Sequence, residues 1–175
     1  IFTQILGGDG VEVHVDRISD NAVDVYASGP FLNPLIRRRE IKSSASSPLE
    51  VTSENAVLKI ERGDQTIAGS SRLDRSFDNT LQAAPALGFN SVSPGTVLVG
   101  SKFLYESTNR GDSFLVTGGV TPTTGNQFRP TTPLEGLGAS SSLITAIAAG
   151  GLINGVSDVN LLYVGFASGN VFVRN

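Results

Sequence analysis

Ser107-Thr108-Asn109-Arg110-Gly111-Asp112-Ser113-Phe114 follows directly on the strand-like run Phe103 to Glu106. Its residue types suit one tight turn. The short amide side chain of Asn109 bonds to turn backbone, Gly111 takes a positive φ without a Cβ penalty, and Phe114 opens the next strand with a ring to bury. The stretch predicts a β-hairpin, with Asn109 hydrogen-bonded to the backbone and Phe114 in the core.

On either side of this hairpin the chain repeats one layout: an alternating apolar strand, a polar turn, then a second strand ending in a small residue. Val11, Val13 and Val15 alternate with polar residues, Asp16 to Asn21 makes the turn, and Val23, Val25 and Tyr26 lead into Ala27 and Ser28. Ala86 to Phe89, the turn Asn90 to Gly95, and Val97 to Gly100 repeat it. Ile144 to Ala148, a turn spread over Gly150 to Asn160, and Leu161 to Gly165 repeat it again. A weaker copy lies at Val57 to Ile60, with Gly63 and Asp64 at the turn and Thr66 to Gly69 after it.

Further short strands follow the small residues, at Leu73 to Ser76, Phe103 to Glu106 and Val171 to Arg174. Runs of this kind with turn formers between them predict an antiparallel meander. Ser140 to Ala149 has a helix-like composition, but β-branched Ile144, Thr145 and Ile147 favour a strand there. Ser43 to Pro48 and Thr121 to Gly138 read as linkers, the second as a surface loop.

The hairpin resembles the Asp-box, Ser-x-Asp-x-Gly-x-Thr-Trp or Phe, of β-propeller repeat proteins. Ser107, Asn109, Gly111, Ser113 and Phe114 occupy its positions, with Asn109 where Asp is usual and Ser113 in place of Thr. A weaker second box is carried by Ser76 and Asp78 in the run Leu73 to Asn79, which lacks both the Gly and the aromatic. Gly7 to Gly10 before Val11 is similar to the approach to an innermost blade strand. The resemblance implies an all-β chain of propeller-like antiparallel blades, a partial propeller of about three to four blade units within residues 1–175. It also implies a secreted or cell-surface protein. Asp-boxes occur in sialidases, cell-wall hydrolases, sorting receptors and non-enzymes alike, so the motif speaks for architecture rather than activity.

Several sharper readings compete with structural ones. Arg110-Gly111-Asp112 spells an integrin-binding tripeptide, yet the hairpin spacing already accounts for all three residues. Arg37, Arg38 and Arg39 form a dense cationic run that would suit an anionic sugar or phosphate, but with Glu40 following they read as a solvated turn. Tyr26, Tyr105 and Tyr163 sit in repeat strands and read as packing residues rather than as a sialidase-type nucleophile. His14, between Val13 and Val15, is the one histidine available as a general base, and reads as a residue making one satisfied hydrogen bond. Asp9, Glu12, Asp16 and Asp24 read as turn or strand-exposed carboxylates; nothing selects a glycosidase pair among them.

Composition narrows the classes further. With net charge -3, the chain has no basic field for a phosphate backbone, so nucleic acid is not an expected partner. With Cys 0, it has no disulfide, thiolate nucleophile or Cys-ligated metal. Leu143 to Val156 is apolar but too short to cross a bilayer and is broken by glycines, so no membrane span is expected. No cofactor, catalytic residue or metal ligand is specified.

The sequence therefore reads as a binding or structural scaffold for a glycan or protein ligand. Part of a propeller glycoside hydrolase, sialidase-like or polysaccharide-degrading, is the alternative. Because the chain starts at Ile1, holds no Met and stops just after Val171 to Arg174, it reads as an excerpt or processed product. Its terminal strands are expected to pair with another chain or with flanking blades.

Overall fold

The computed structural model describes residues 10–44, 46–48, 50–55, 59–62, 65–66, 78–117, 120–123, 127–130 and 142–174. Gly7 to Asp9, Val57 and Leu58, the Gly63–Asp64 turn and Ile67 to Gly69 of the weaker copy, and Leu73 to Phe77 with Ser76 lie outside the described residues. The architecture is all-β, with no α-helix among the described residues.

Strands β1 (Glu12–Ser19), β2 (Ala22–Ser28), β3 (Leu35–Ile41) and β4 (Glu50–Asn55) form a four-stranded antiparallel meander in sequence order. Short strands β5 (Lys59–Arg62) and β6 (Gln65–Thr66) come next. Strands β7 (Ala86–Phe89), β8 (Val97–Gly100), β9 (Leu104–Ser107) and β10 (Ser113–Thr117) form a second meander, to whose outer strand β10 the strand β5 adds in parallel. A two-stranded hairpin joins β11 (Val120–Thr123) to β12 (Gln127–Pro130). The third meander is β13 (Ile144–Ile153), β14 (Val156–Phe166) and β15 (Val171–Arg174). Among the described residues no sheet closes on itself.

Strand alternation gives the second meander two apolar faces, and each is covered by a neighbour. Val97, Val99 and Tyr105 share a core with Tyr26, Leu32 and Leu35 of the first meander and its connection, together with Phe114. Leu98 and Leu104 point the other way, into a core with Ile144, Leu162, Val164 and Phe166 of the third. Each such side chain taken from water contributes about 1.5–3 kcal/mol before chain entropy is set against it. The three meanders therefore stack face to face, the second in the middle.

The first strands of the meanders lie side by side in this stack. On β1, His14 stacks on Phe89 of β7 at 3.6 Å between ring centroids and 5° between planes. Next along, just past the end of β7, Asn90 forms a parallel bridge with Ala149 of β13, and Ser91 N–H donates to the Ala149 carbonyl at 2.9 Å. A Cβ on Gly88 would lie 2.9 Å from Ile147 Cβ, and one on Gly100 would lie 2.8 Å from Ile144 Cβ, so both glycines are required by the close approach of β13.

Four local readings are corrected. Arg37 to Arg39 is no turn: the three arginines lie in the middle of β3, paired with Tyr26, Val25 and Asp24 of β2. Asp16 belongs to β1, and the turn is confined to Asp20 and Asn21. The region Gly150 to Asn160 is mostly strand, with the turn narrowed to Asn154 (φ 52) and Gly155 (φ 79), a pair that matches the twist of the flanking strands. Thr121 to Gly138 is not all loop, since part of it forms the β11–β12 hairpin.

Candidate functional site

The Ser107–Phe114 stretch joins β9 to β10 as a hairpin. Asn109 Oδ1 accepts from Ser113 N–H at 2.9 Å and from the Ser107 hydroxyl at 2.8 Å, while Asn109 Nδ2 donates to Ser113 Oγ at 2.7 Å. Ser107 Oγ in turn accepts from Gly111 N–H at 2.9 Å. Gly111 has φ +85, Arg110 before it φ 67, and Phe114 is 0% exposed. Ser107, Asn109, Gly111, Ser113 and Phe114 thus form one self-bonded turn with its aromatic residue driven into the core.

This turn presses on the first meander through charge. Asp24, 0% exposed, accepts from Arg39 Nε at 2.7 Å and Nη2 at 2.9 Å, and from Arg110 Nε at 2.7 Å. Arg37, also buried, donates from Nη1 to the Arg110 carbonyl at 2.8 Å and to Asp112 Oδ1 at 2.9 Å. Tyr26 hydroxyl donates to the same carbonyl at 3.3 Å. Buried Asp16 accepts Gly95 N–H at 2.7 Å, and the Gly95 carbonyl accepts Arg110 N–H at 2.8 Å.

The electrostatics follow from these contacts. Burial pushes the Asp24 carboxyl up, but the Arg39 and Arg110 guanidiniums outweigh it and hold the pKa below the usual carboxylate value. Burial, and then Asp24 and Asp16 against the opposing pull of Arg37 and Arg110, push the Tyr26 phenol up. His14 is lowered by burial, with Asp16 opposing. Arg38, on the other face of β3, lies 3.0 Å from Glu40 as an ion pair without a directed hydrogen bond from Nε.

A third buried carboxylate, Asp78, sits against the β8–β9 turn. Asp78 accepts from the Tyr105 hydroxyl at 2.9 Å, from Thr80 N–H at 2.9 Å and Oγ1 at 2.6 Å, and from the Ser101 hydroxyl. Burial and then Asp78 push the Tyr105 phenol up. Ser76, the other residue of the weaker box, lies outside the described residues.

Several readings change here. Asp16 and Asp24 are buried acceptors, not exposed strand positions. Tyr26 and Tyr105 are packed, whereas Tyr163 is 47% exposed on the outer face of β14. His14 finds a ring partner in Phe89. In Arg110-Gly111-Asp112 both charged side chains are engaged with the first meander, so the tripeptide is held as part of the fold. Missed altogether was the cluster itself. Arg37 and Arg39 share one face of β3, and Asp24 faces them from β2, a two-residue alternation of charge that is its one sequence signal.

Among the described residues no group of three or more His, Cys, Asp and Glu side chains is placed to hold a metal. No helix among them is long and apolar enough to cross a membrane. An open depression of about 420 Å³ lies at the end of the first meander, between Asp20, Asn21, Glu40 and Lys42. Comparison with family models, curated proteins and solved structures finds no match.

Proposed function

We propose that the chain forms consecutive blades of an Asp-box-type β-propeller and serves as a non-catalytic binding or structural scaffold of a secreted or cell-surface protein. The carrying observation is the stack: three meanders in sequence order, face to face, with β1, β7 and β13 adjacent. Successive blades around an axis have this arrangement. The bonded hairpin at Ser107–Phe114 supports the same reading, since its side chains satisfy the turn and anchor it.

The scaffold reading rests on how the carboxylates are used. A glycosidase needs two carboxyl groups free to meet a sugar across a cleft. Asp24 is held by two guanidiniums, Asp16 accepts a backbone amide, and Asp78 accepts four hydrogen bonds from Thr80, Ser101 and Tyr105, so these groups hold strands together. A glycan or protein ligand then binds the assembled blades.

The test pairs a glycan array with a panel of fluorogenic glycosides, assayed from acid to neutral pH on protein shown to be folded. The scaffold reading predicts no release of fluorophore above buffer. Turnover proportional to protein and abolished by substituting one carboxylate would overturn it in favour of a hydrolase.

A further inference from the structure

The long β13–β14 hairpin ends in a two-residue loop, Asn154 (φ 52) and Gly155 (φ 79), between the paired Ile153 and Val156. Both loop residues are exposed, and a Cβ on Gly155 would meet nothing within 4 Å. Leu152 and Val156 beside them are 65% and 69% exposed, so little packing holds the tip. Among the described residues neither the Asn154 side-chain amide nor the Gly155 N–H has a hydrogen-bond partner.

A side-chain amide beside an accessible main-chain nitrogen is open to attack by it. The Gly155 nitrogen gives its proton to hydroxide and bonds to Asn154 Cγ. The Cγ–Nδ2 bond breaks, ammonia leaves, and a five-membered succinimide closes. Water then opens the ring at one of its two carbonyls. Breaking the new N–Cγ bond leaves aspartate, whereas breaking the original peptide bond leaves an isoaspartyl link that runs through Cβ and Cγ. Nothing is oxidised or reduced, and water is the one co-reactant.

Two observations single out this asparagine. A side chain on the following residue crowds the attacking nitrogen, and Asn154 is the one asparagine of the sequence followed by glycine. The turn asparagines Asn90 and Asn109 are also tied down. Asn90 Oδ1 accepts from Val92 and Ser93 N–H while its Nδ2 donates to the Val159 carbonyl, and both ends of the Asn109 amide are bonded within its hairpin. The attack requires Asn154 to leave its positive-φ turn, and a tip with so few buried contacts opens at low free-energy cost.

We propose that Asn154 is a self-modification site, at which the folded chain, without an enzyme, converts the tip of its β13–β14 hairpin from a neutral turn to an anionic one. From Leu143 to Ser157 the sequence carries no charged side chain, so the product sets a new charge on an uncharged tip, close to Asp158 of β14. The isoaspartyl product also lengthens the backbone of a loop whose length fixes the register of its strands. Ile153 and Val156 then lose their pairing.

Peptide mapping by mass spectrometry of the whole folded chain, incubated at mildly alkaline pH, tests this against two controls. Asn154→Gly keeps a residue suited to positive φ but has no amide to lose, and a free peptide spanning Leu152 to Ser157 gives the rate without the fold. The wild type is expected to gain the mass of an amide-to-acid exchange at Asn154, severalfold faster than at any other asparagine and in proportion to hydroxide. Isoaspartyl methyltransferase should label the product, and Asn154→Gly should gain neither mass nor label at the tip. In the isoaspartyl fraction, amide hydrogen exchange at Ile153 and Val156 is expected to quicken. A folded chain that stays unchanged while the free peptide converts, or one that converts first at another asparagine, would overturn the proposal. Unaltered exchange at Ile153 and Val156 in the isoaspartyl fraction would overturn the loss of pairing.

Discussion

The first and second meanders share an apolar core with a buried charge cluster beside it, whereas the second and third meet through hydrocarbon, with the partly exposed ion pair Arg174 to Glu106 at its side. At the first interface Asp24, Arg39 and Arg110 saturate one another and Arg37 ties the hairpin backbone to β3. At the second, Leu98 and Leu104 pack on Ile144, Leu162 and Val164, with Gly88 and Gly100 admitting the isoleucines. Both interfaces thus bury hydrocarbon, and the first adds a buried charge network to it. A charge cluster fixes register, because guanidinium and carboxylate geometry tolerates little displacement. An apolar face fixes distance, through shape.

The charged interface is expected to give the larger response to a single change. Asp24→Ala leaves Arg39 and Arg110 without their shared carboxylate and is expected to cost about 3 kcal/mol, read as a lower urea midpoint. Those guanidiniums are 24% and 28% exposed and rehydrate in part, which sets the figure at the low end of that class. An unchanged midpoint would show that the cluster contributes nothing to holding the meanders.

At the apolar interface, Gly88→Ala forces a methyl onto Ile147 and is expected to cost about 2 kcal/mol by overpacking. The double variant Gly88→Ala with Ile147→Ala should recover part of the loss, as a cycle of denaturation curves would show. Independent, additive losses would mean that β7 and β13 do not touch. In the hairpin itself, Gly111→Val meets a backbone at φ 85 and is expected to cost about 1 to 3 kcal/mol, visible as a lower melting temperature.

The smallest effects are in pH. Because the Asp24 pKa is lowered by folding, its contribution is full above the unfolded value of about 4 and is lost as pH falls through the folded value. The pKa of Tyr26 is raised, so its contribution is full below about pH 10 and is lost as the pH rises beyond it, the unfolded chain ionising first. Stability curves of Asp24→Asn should be flatter on the acid side, and those of Tyr26→Phe flatter on the alkaline side.

What the sequence revealed follows the range of the interactions. Ala86 to Phe89, the Asn90 turn and Val97 to Gly100 could be read because alternation and turn chemistry are local. The hairpin at Asn109 and Gly111 was readable for the same reason. The strand character of Arg37 to Arg39 was not, since the partners that make three arginines tolerable there include Arg110 and Asp112, more than 70 residues away. Gly150 and Gly151 looked like a turn but sit at a register shift in β13, where a Cβ on Gly150 would strike the Asn90 side chain. The Asn154-Gly155 pair was the better turn signal within the same stretch.

The central claim is that the first strands of successive meanders lie side by side, and the one histidine of the chain reports on it directly. In the proton NMR spectrum, the His14 imidazole resonances are expected upfield of a free imidazole because the ring lies flat on Phe89, and to titrate below the ordinary value of 6.5. Phe89→Leu should return them downfield with the fold intact by circular dichroism. An unshifted His14 that titrates at the ordinary value and ignores the loss of Phe89 would contradict the stacking of β1 on β7, and with it the propeller reading.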